Sequence, residues 1–448
     1  MLDTDTIAAI ATPPGKGGIG IIRLSGRKAL SIGEAICQKS LPVRIAKTSI
    51  FVNSEQQPID HGLALYFAGP ASFTGEDVVE LQGHGGPVIL DMLLEAAIAF
   101  GARAAEPGEF SKRAFLNDKI DLTQAEAIAD LIDASSRQAA TTALRSLSGE
   151  FSQQVDAIAA NMLQLRMYVE SAIDFPEEEI DFLNDGNIAN KLETLIQQLT
   201  TLIANADQGA ILKEGIHITL AGAPNAGKSS LLNALAGQES AIVSDIAGTT
   251  RDIVKESILI DGIPIHISDT AGIRRSDDVI ENMGIERSKQ AAEQCDLLLL
   301  IIDGSAQNPT QEQQLLLDQL PDLRKKPIIV IDNKADISGK PISQVGNTVC
   351  ISAKKNLGID VLRQAIKHAV NAQDTNENTF LARRRHLEAL HLALTFLETG
   401  SDQLKHYQAG ELLAEDLRLG HEALGRITGK ISSDDLLGVI FSSFCIGK

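Results

Sequence analysis

Gly222-Ala223-Pro224-Asn225-Ala226-Gly227-Lys228-Ser229 follows the apolar run Ile216 to Ala221 and opens a helical stretch, Ser230 to Leu235. A G-x-x-x-x-G-K-[ST] pattern between a strand and a helix is a loop built to cradle phosphates. Its glycines let backbone N–H groups turn inward around an anion, and the helix N-terminus behind it adds positive potential. In that setting Lys228 reaches the outer phosphates and the Ser229 hydroxyl ligates Mg²⁺. The candidate phosphate cradle is therefore Asn225, Ala226, Gly227, Lys228, Ser229 and Ser230.

Outward from this loop, residues 211–371 alternate strand and helix. Ile265 to Ser268, Leu297 to Ile302, Ile328 to Ile331 and Val349 to Ile351 read as short apolar strands, which predicts a parallel sheet. Three further motifs stand at strand ends. In Asp269-Thr270-Ala271-Gly272 a carboxylate meets Mg²⁺ and a backbone N–H senses the γ-phosphate. In Asn333-Lys334-Ala335-Asp336 a carboxylate accepts two bonds from the N1–H and amine of guanine. Adenine offers no such donor pair, so the acid would be left unpaired and ATP rejected. Ser352-Ala353-Lys354 ends the following strand and reaches the guanine oxygen. Four motifs in this order, each at a strand end, predict a GTP hydrolase.

Ile273 follows the Asp269–Gly272 motif, where many such enzymes carry the glutamine that orients the attacking water. Isoleucine has no group for that task. Glu281 is the nearest acid, with Asp277 and Asp278 as competitors, and each reads equally well as a solvated loop charge. Asn225 offers a neutral oxygen suited to a monovalent cation in place of an arginine finger. Residues 244–251, with Gly248-Thr249-Thr250, read as a switch segment, one threonine of which ligates Mg²⁺.

A chain of 448 residues is too long for one ordinary core, and 44% apolar with 22% charged residues is a globular composition. The longest uncharged apolar run, Leu297 to Ile302, has strand length, and acids occupy Met1 to Asp5 where a secretory signal needs bases. The expectation is a cytoplasmic chain with no membrane partner. A net charge of −19 and the absence of Trp argue against broad nucleic-acid adhesion and base-stacking surfaces. Cys37, Cys295, Cys350 and Cys445 make no CxxC pair, so neither a zinc site nor a disulfide scaffold is indicated. The first three read as core residues.

Residues 1–118 read as α+β, with strands at Ile7 to Ile10, Ile19 to Leu24, Leu63 to Phe67 and Val78 to Leu81 and a helix over 87–100. The cluster Pro13-Pro14-Gly15-Lys16-Gly17-Gly18 lacks a Gly-Lys-Ser/Thr ending and reads as a turn. Beyond residue 118 the period becomes helical. One stripe is Phe151, Val155, Ile158, Met162, Leu165 and Val169, and a second is Leu192, Leu195, Leu199 and Leu202. The pattern returns at Leu387, Leu390, Leu394 and Leu397, then at Leu413, Leu417, Leu424 and Ile427. The fold class expected is multidomain: an α+β N-terminal domain (1–118), and a helical domain (119–210 and 372–448) split by an inserted α/β P-loop GTPase domain (211–371). Two separate helical domains are the alternative. Arg383-Arg384-Arg385-His386 reads either as a solvated helix end or as a grip on a tRNA phosphate.

With these motifs placed, the chain resembles the tRNA modification GTPase family known as MnmE or TrmE. The resemblance spans all three regions and rests on Gly248-Thr249-Thr250-Arg251-Asp252, Asp269-Thr270-Ala271-Gly272-Ile273-Arg274 and the terminal Phe444-Cys445-Ile446-Gly447-Lys448. It implies a homodimer whose G domains pair when K⁺ fills a loop of Asn225, Ser244, Ile246 and Thr249, with Asp245 and Ala247 in the same nucleotide-contacting segment. It implies Thr250 beside Ser229 on Mg²⁺, and Glu281 as the group that orients water. It also implies 5-formyl-tetrahydrofolate bound by Arg23, Glu80, Lys119 and Lys448. An FAD-containing partner of the MnmG/GidA type would join in modifying C5 of the wobble uridine of certain tRNAs.

Physical chemistry is compatible with the folate: a cation pairs with its glutamate tail, and Glu80 suits a pterin's amine edge. The plain alternative is that all four are ordinary surface charges. Cys445 has three readings: a prenylation signal that Gly447 and Lys448 fit badly, a buried hydrophobe among Phe441, Phe444 and Ile446, or a functional thiol. The rival function is a GTP-dependent ribosome-assembly factor, though neither a second G domain nor a basic module with a GxxG loop is found. A second rival is a binding switch with negligible turnover, which Ile273 keeps open unless Glu281 contributes.

Overall fold

Alternation builds the first sheet. In strand β2 (Gly17–Ser25), Ile22 and Leu24 are fully buried, while Ile21 and Arg23 point to the opposite, half-covered face. The structure, a computed structural model, describes residues 5–134, 136–174, 187–237, 256–269, 295–318, 326–370, 380–407, 409–431 and 434–447. Strands β1 (Ile7–Ile10), β3 (Lys47–Val52), β4 (Pro58–Phe67), β5 (Val78–Gly85) and β6 (Arg103–Ala104) join β2 in the order β3-β4-β5-β2-β1-β6. All neighbours are antiparallel except β1 and β6. Helices α1 (Ala29–Cys37) and α2 (Pro87–Ala99) pack into the core containing Ile22, Leu24, Leu81 and Leu93. Helix α2 begins where Pro87 has no N–H to leave unsatisfied. Strands β3 and β6 were not expected: two residues carry no periodicity, and β3 has an irregular pairing at Phe51/Val52.

The helical stripes bury as their spacing requires. Phe151, Val155, Met162 and Val169 of helix Glu150–Asp174 are fully covered, as are Leu413, Leu417, Leu424 and Ile427 of helix Gly410–Thr428, against which it packs. One stripe is rotated. In helix Arg384–Tyr407 the buried line runs through Leu390, Ala393 and Leu397, with Leu387 and Leu394 only half-buried. A small alanine marks a close helix approach that a search for large apolar residues overlooks.

The second sheet is parallel in its interior. Strands β7 (Ile216–Gly222), β8 (Glu256–Ile260), β9 (Ile263–Asp269), β10 (Leu297–Asp303), β11 (Ile328–Asn333), β12 (Ser343–Val345) and β13 (Thr348–Cys350) lie in the order β12-β13-β11-β10-β7-β9-β8. Only the edge strands β8 and β12 run antiparallel to their neighbours. Strands β7, β10 and β11 are near-continuous apolar runs, the composition of strands covered on both faces. Because β7, β9, β10, β11 and β13 all run the same way, their C-terminal ends share one edge. The four nucleotide motifs follow four of those ends.

The chain divides into two compact units, residues 1–129 with 144–199 and 388–448, and residues 130–143 with 200–387. Within the second, buried Asp130 accepts from Lys213 Nζ at 2.9 Å and from Arg383 Nη2 at 2.8 Å, joining three chain segments next to the parallel sheet. Neither sequence reading of the Arg383 cluster anticipated this tie; His386 beside it is buried. Among the described residues no helix is long and apolar enough to cross a membrane.

In the same unit Gly209, inside helix Asn187–Glu214, meets the backbone of Phe380 so closely that a Cβ would stand 1.5 Å from the Phe380 carbonyl oxygen. Glycine in a helix costs about 1 kcal/mol relative to alanine, so the contact overrides propensity. Gly209→Ala should lower stability by about 2 kcal/mol or more, because backbone must move to admit the methyl. Urea unfolding followed by circular dichroism would read this as a lower midpoint; a raised midpoint would mean that helix propensity wins.

Candidate functional site

The phosphate cradle begins where β7 ends. Asn225 (φ 65°) and Gly227 (φ 100°) both take left-handed backbone, which turns the loop tightly before helix Lys228–Ala236 starts. Left-handed Gly227 at the N-cap makes Lys228 the first helical residue, two earlier than expected. Lys228 Nζ arches back to donate to the Gly222 carbonyl at 3.1 Å, and Ser229 and Ser230 lie exposed in the first turn. Strand β7 sits between β10 and β9, where the sheet's connections diverge, the position at which open α/β sheets bind ligands.

One side chain ties this loop to the segments expected to read the base. Asn333, almost fully buried, donates from Nδ2 to the Ala226 carbonyl at 2.8 Å and accepts at Oδ1 from the Ala353 N–H at 3.0 Å. A Cβ on Gly227 would stand 2.2 Å from Asn333 Nδ2, so only glycine fits there. Thus Gly222–Ser229, Asn333–Asp336 and Ser352–Lys354 are brought together.

At the base-reading end the fully buried Ser352 donates its hydroxyl to Asp336 Oδ1 at 2.6 Å. That bond, together with nearby Lys355 and Lys354, holds the Asp336 carboxyl below its ordinary range. Asp336 is half-exposed and ionised, with lone pairs left for a donor pair in the plane of a purine. Lys334 (φ 66°) turns away from the strand and pairs with Asp303 Oδ2 at 2.5 Å. Asp303 was not singled out in the sequence; an acid after a strand carries no signal until its partner is seen.

Several expected residues lie outside the described ones: the switch residues Ser244, Asp245, Ile246, Ala247, Gly248, Thr249 and Thr250, then Thr270, Ala271, Gly272, Asp277, Asp278 and Glu281, and finally Lys448. For Asp269 the backbone register is described, opposite Leu220 of β7.

A second constellation lies in the first unit. Arg23 of β2 stands directly across from Glu80 of β5, and Arg23 Nε donates to Glu80 Oε1 at 3.0 Å. Arg23 Nη1 also donates to the Gly447 carbonyl at 3.4 Å, so the C-terminal segment reaches the same point. The guanidinium lies 5.9 Å from the ring centres of both Phe73 and Phe110. At 24% and 16% exposure, the Arg23 and Glu80 side chains are not ordinary surface charges. The Lys119 stem packs at Gly75, and no contact between Lys119 and the Arg23–Glu80 pair is seen among the described residues. Cys445 is exposed while Phe441 and Phe444 are buried, so the buried-hydrophobe reading of Cys445 is overturned. The Cys445 carbonyl accepts from the Gly108 N–H at 3.4 Å, which sets the Cys445 backbone beside the start of the helix that carries Phe110. Cys37, Cys295 and Cys350 are buried, as their apolar contexts required.

Sequence reading missed the ionic network next to this constellation. Arg113, 5% exposed, pairs with Glu109 at 2.9 Å, Asp5 at 2.8 Å and Glu76 at 3.1 Å, while Arg103 pairs with Glu109 at 2.7 Å. Burial pushes the Glu109 carboxyl up, but hydrogen bonds from Arg103, the Glu106 N–H and Arg113 outweigh it and hold it below its ordinary range. The network fixes helix Glu109–Leu116 and, through Ser25 and Thr74 on Glu76, the loop bearing Phe73.

Two family models match the chain. The family model described as "MnmE helical domain" matches residues 122–445, and "GTP-binding protein TrmE N-terminus" matches residues 6–119. The tRNA modification GTPase MnmE of Hydrogenovibrio crunogenus (strain DSM 25203 / XCL-2) is 56% identical over 447 residues, 99% of each chain. That of Ectopseudomonas mendocina (strain ymp) is 55% identical, again over 99% of each. A third, from Legionella pneumophila (strain Corby), is 54% identical over the full length of both.

Two outcomes are expected from these geometries. Asn333→Ala removes both bonds of a buried amide and leaves a carbonyl and an N–H without partners. GDP affinity should fall about 10- to 100-fold, at 1–3 kcal/mol for such a loss, as read by titration with a fluorescent GDP; unchanged affinity would show that the loop holds its shape without the amide. For Glu109, the folded carboxyl titrates below its ordinary 4.5. Its contribution is therefore complete above that value and lost as pH falls through the depressed one. Glu109→Gln should cost about 3 kcal/mol at neutral pH and flatten the acid limb of the Tm-versus-pH curve, whereas an unaltered limb would remove Glu109 as its source.

Proposed function

The chain belongs to the MnmE/TrmE family of tRNA modification GTPases, and from that premise we propose a K⁺-dependent GTPase cycle, run by a homodimer, that serves C5 modification of wobble uridine. It is a GTP hydrolase acting in tRNA modification. The observation that carries this reading is the Asn333 tie, which supports one continuous nucleotide site from Lys228 to Asp336.

In this reading Lys228 exchanges its Gly222 carbonyl for the outer phosphates, and the Gly227–Ser229 N–H groups surround them. Asp336 takes the guanine N1–H and amine, with Ser352 fixing its carboxylate and the Ala353–Lys354 segment beside the guanine oxygen. Ser229, Thr250 and the Asp269–Gly272 segment would hold Mg²⁺, which when bound neutralises charge on the transferring phosphoryl group. Asn225, exposed at a left-handed turn with its side chain uncommitted to the core, fits a K⁺ site shared with Ser244, Ile246 and Thr249. Glu281 orients water in place of the side chain that Ile273 lacks.

For the first unit we read Arg23, Glu80, Lys119 and Lys448 as contacts for 5-formyl-tetrahydrofolate, the one-carbon donor. Exposed Phe73 beside a half-buried Arg23–Glu80 pair, with buried Phe110 backing the guanidinium, suits a flat, amine-edged pterin with an anionic tail. Exposed Cys445 at that pocket offers a thiol for the uridine chemistry, in company with an FAD-containing MnmG/GidA-type protein.

Bulk tRNA from cells lacking the protein, digested and profiled by mass spectrometry, tests the reading. The C5-substituted wobble uridines should vanish and return with the intact gene but not with Lys228→Ala or Cys445→Ser. Replacing K⁺ with Na⁺ should slow hydrolysis about tenfold or more, on the scale of lost transition-state charge stabilisation. An unchanged uridine profile would instead favour ribosome assembly, and equal rates in both salts would remove the K⁺ site.

A further inference from the structure

Beside the base-reading segment lies an ion pair to which the nucleotide motifs assign no role. Asp303 is the last residue of β10 and is registered against Asn333 of β11, so it adjoins the base-reading segment through the sheet. Its Oδ1 accepts from the Ser305 hydroxyl at 2.6 Å and the Ser305 N–H at 3.0 Å. Its Oδ2 takes the Lys334 ammonium at 2.5 Å. Three donors thus hold this carboxylate in one orientation. Burial pushes it up, yet the bonds from Lys334 and Ser305 outweigh that and keep it below its ordinary value. The neighbouring acid, Glu312, is raised by burial and then by the charge of Asp303, so it is the poorer anchor of the two.

We infer that Asp303 is a positioning residue for the nucleotide, pinning the Lys334 ammonium in advance so that the lysine's methylene stem forms a fixed wall of the guanine pocket. A lysine stem is flexible and otherwise has to be ordered by the ligand at the moment of binding. With its head tied to β10 and its backbone left-handed at φ 66°, the stem has its direction set at both ends. An apolar stem with its charge held aside presents CH₂ groups to a flat ring. Such a wall does not distinguish one purine from another; that discrimination stays with Asp336. The inference rests on reading Asp336 as the acceptor for the guanine edge.

Asp303→Ala and Asp303→Asn in the full chain test it, with fluorescent GDP as the probe and GTP hydrolysis as the second readout. The GDP dissociation constant and the KM for GTP should rise about 10- to 30-fold in Asp303→Ala, the scale of ordering one lysine side chain. Asp303→Asn, which keeps an acceptor oxygen, should lose less. At saturating GTP kcat stays within about twofold, and Tm without nucleotide stays within about 2 °C, half or less of what 1 kcal/mol moves in a small domain. A GDP constant equal to that of the unaltered chain, or a joint fall in kcat and nucleotide-free Tm, overturns the inference. Asp336→Asn run in parallel separates the premise: it should shift preference from guanine to xanthine nucleotides. No shift there defeats the base reading itself; a shift there with unaltered GDP binding by Asp303→Ala defeats only the role of Asp303.

Discussion

Two hydrogen bonds of one buried amide hold the phosphate-loop motif and two strand-end segments in register. Asn333 ends a central strand, and its carboxamide spans from the Ala226 carbonyl in the phosphate loop to the Ala353 N–H after the outer strand. A carboxamide suits this because it donates from one end and accepts at the other, satisfying two backbone groups that would otherwise be buried unpaired. The bridge is possible only because β7, β10, β11 and β13 run parallel and deliver their C-terminal ends to one edge. Gly227 completes it by giving up the Cβ that would strike the amide.

The first unit uses charge where the second uses an amide. Arg113 and Glu109 are buried deeply enough that either alone would be expensive, and together with Asp5, Glu76 and Arg103 they form a satisfied cluster. That cluster holds Phe110 and Phe73 around Arg23, and Arg23 in turn meets Glu80 and the C-terminal Gly447. A strand pair, a loop and the chain terminus therefore converge on one half-buried ion pair, with the Cys445 thiol exposed beside them. Family membership makes the chain a GTP hydrolase of tRNA modification.

Local spacing determined a great deal about this protein. The P-loop, the strand-end motifs and the helical stripes are short-range patterns, so the parallel strands of the second sheet and most of the helical stripes were legible from the chain alone, while the strands β3, β6, β8 and β12 were not. Burial of Phe151, Val155 and Met162 follows from a 3.6-residue period that any helix must obey. What tertiary structure alone decided are relations across long separations: Asn333 to Ala226, Asp130 to Lys213 and Arg383, Arg23 to Gly447, Asp303 to Lys334, and the exposure of Cys445. The residues in these pairs are ordinary charges and amides that no local pattern distinguishes. Each partner becomes identifiable only when folding brings it within hydrogen-bond reach, since an ion pair or amide bond is set by distance in space and leaves no period in sequence.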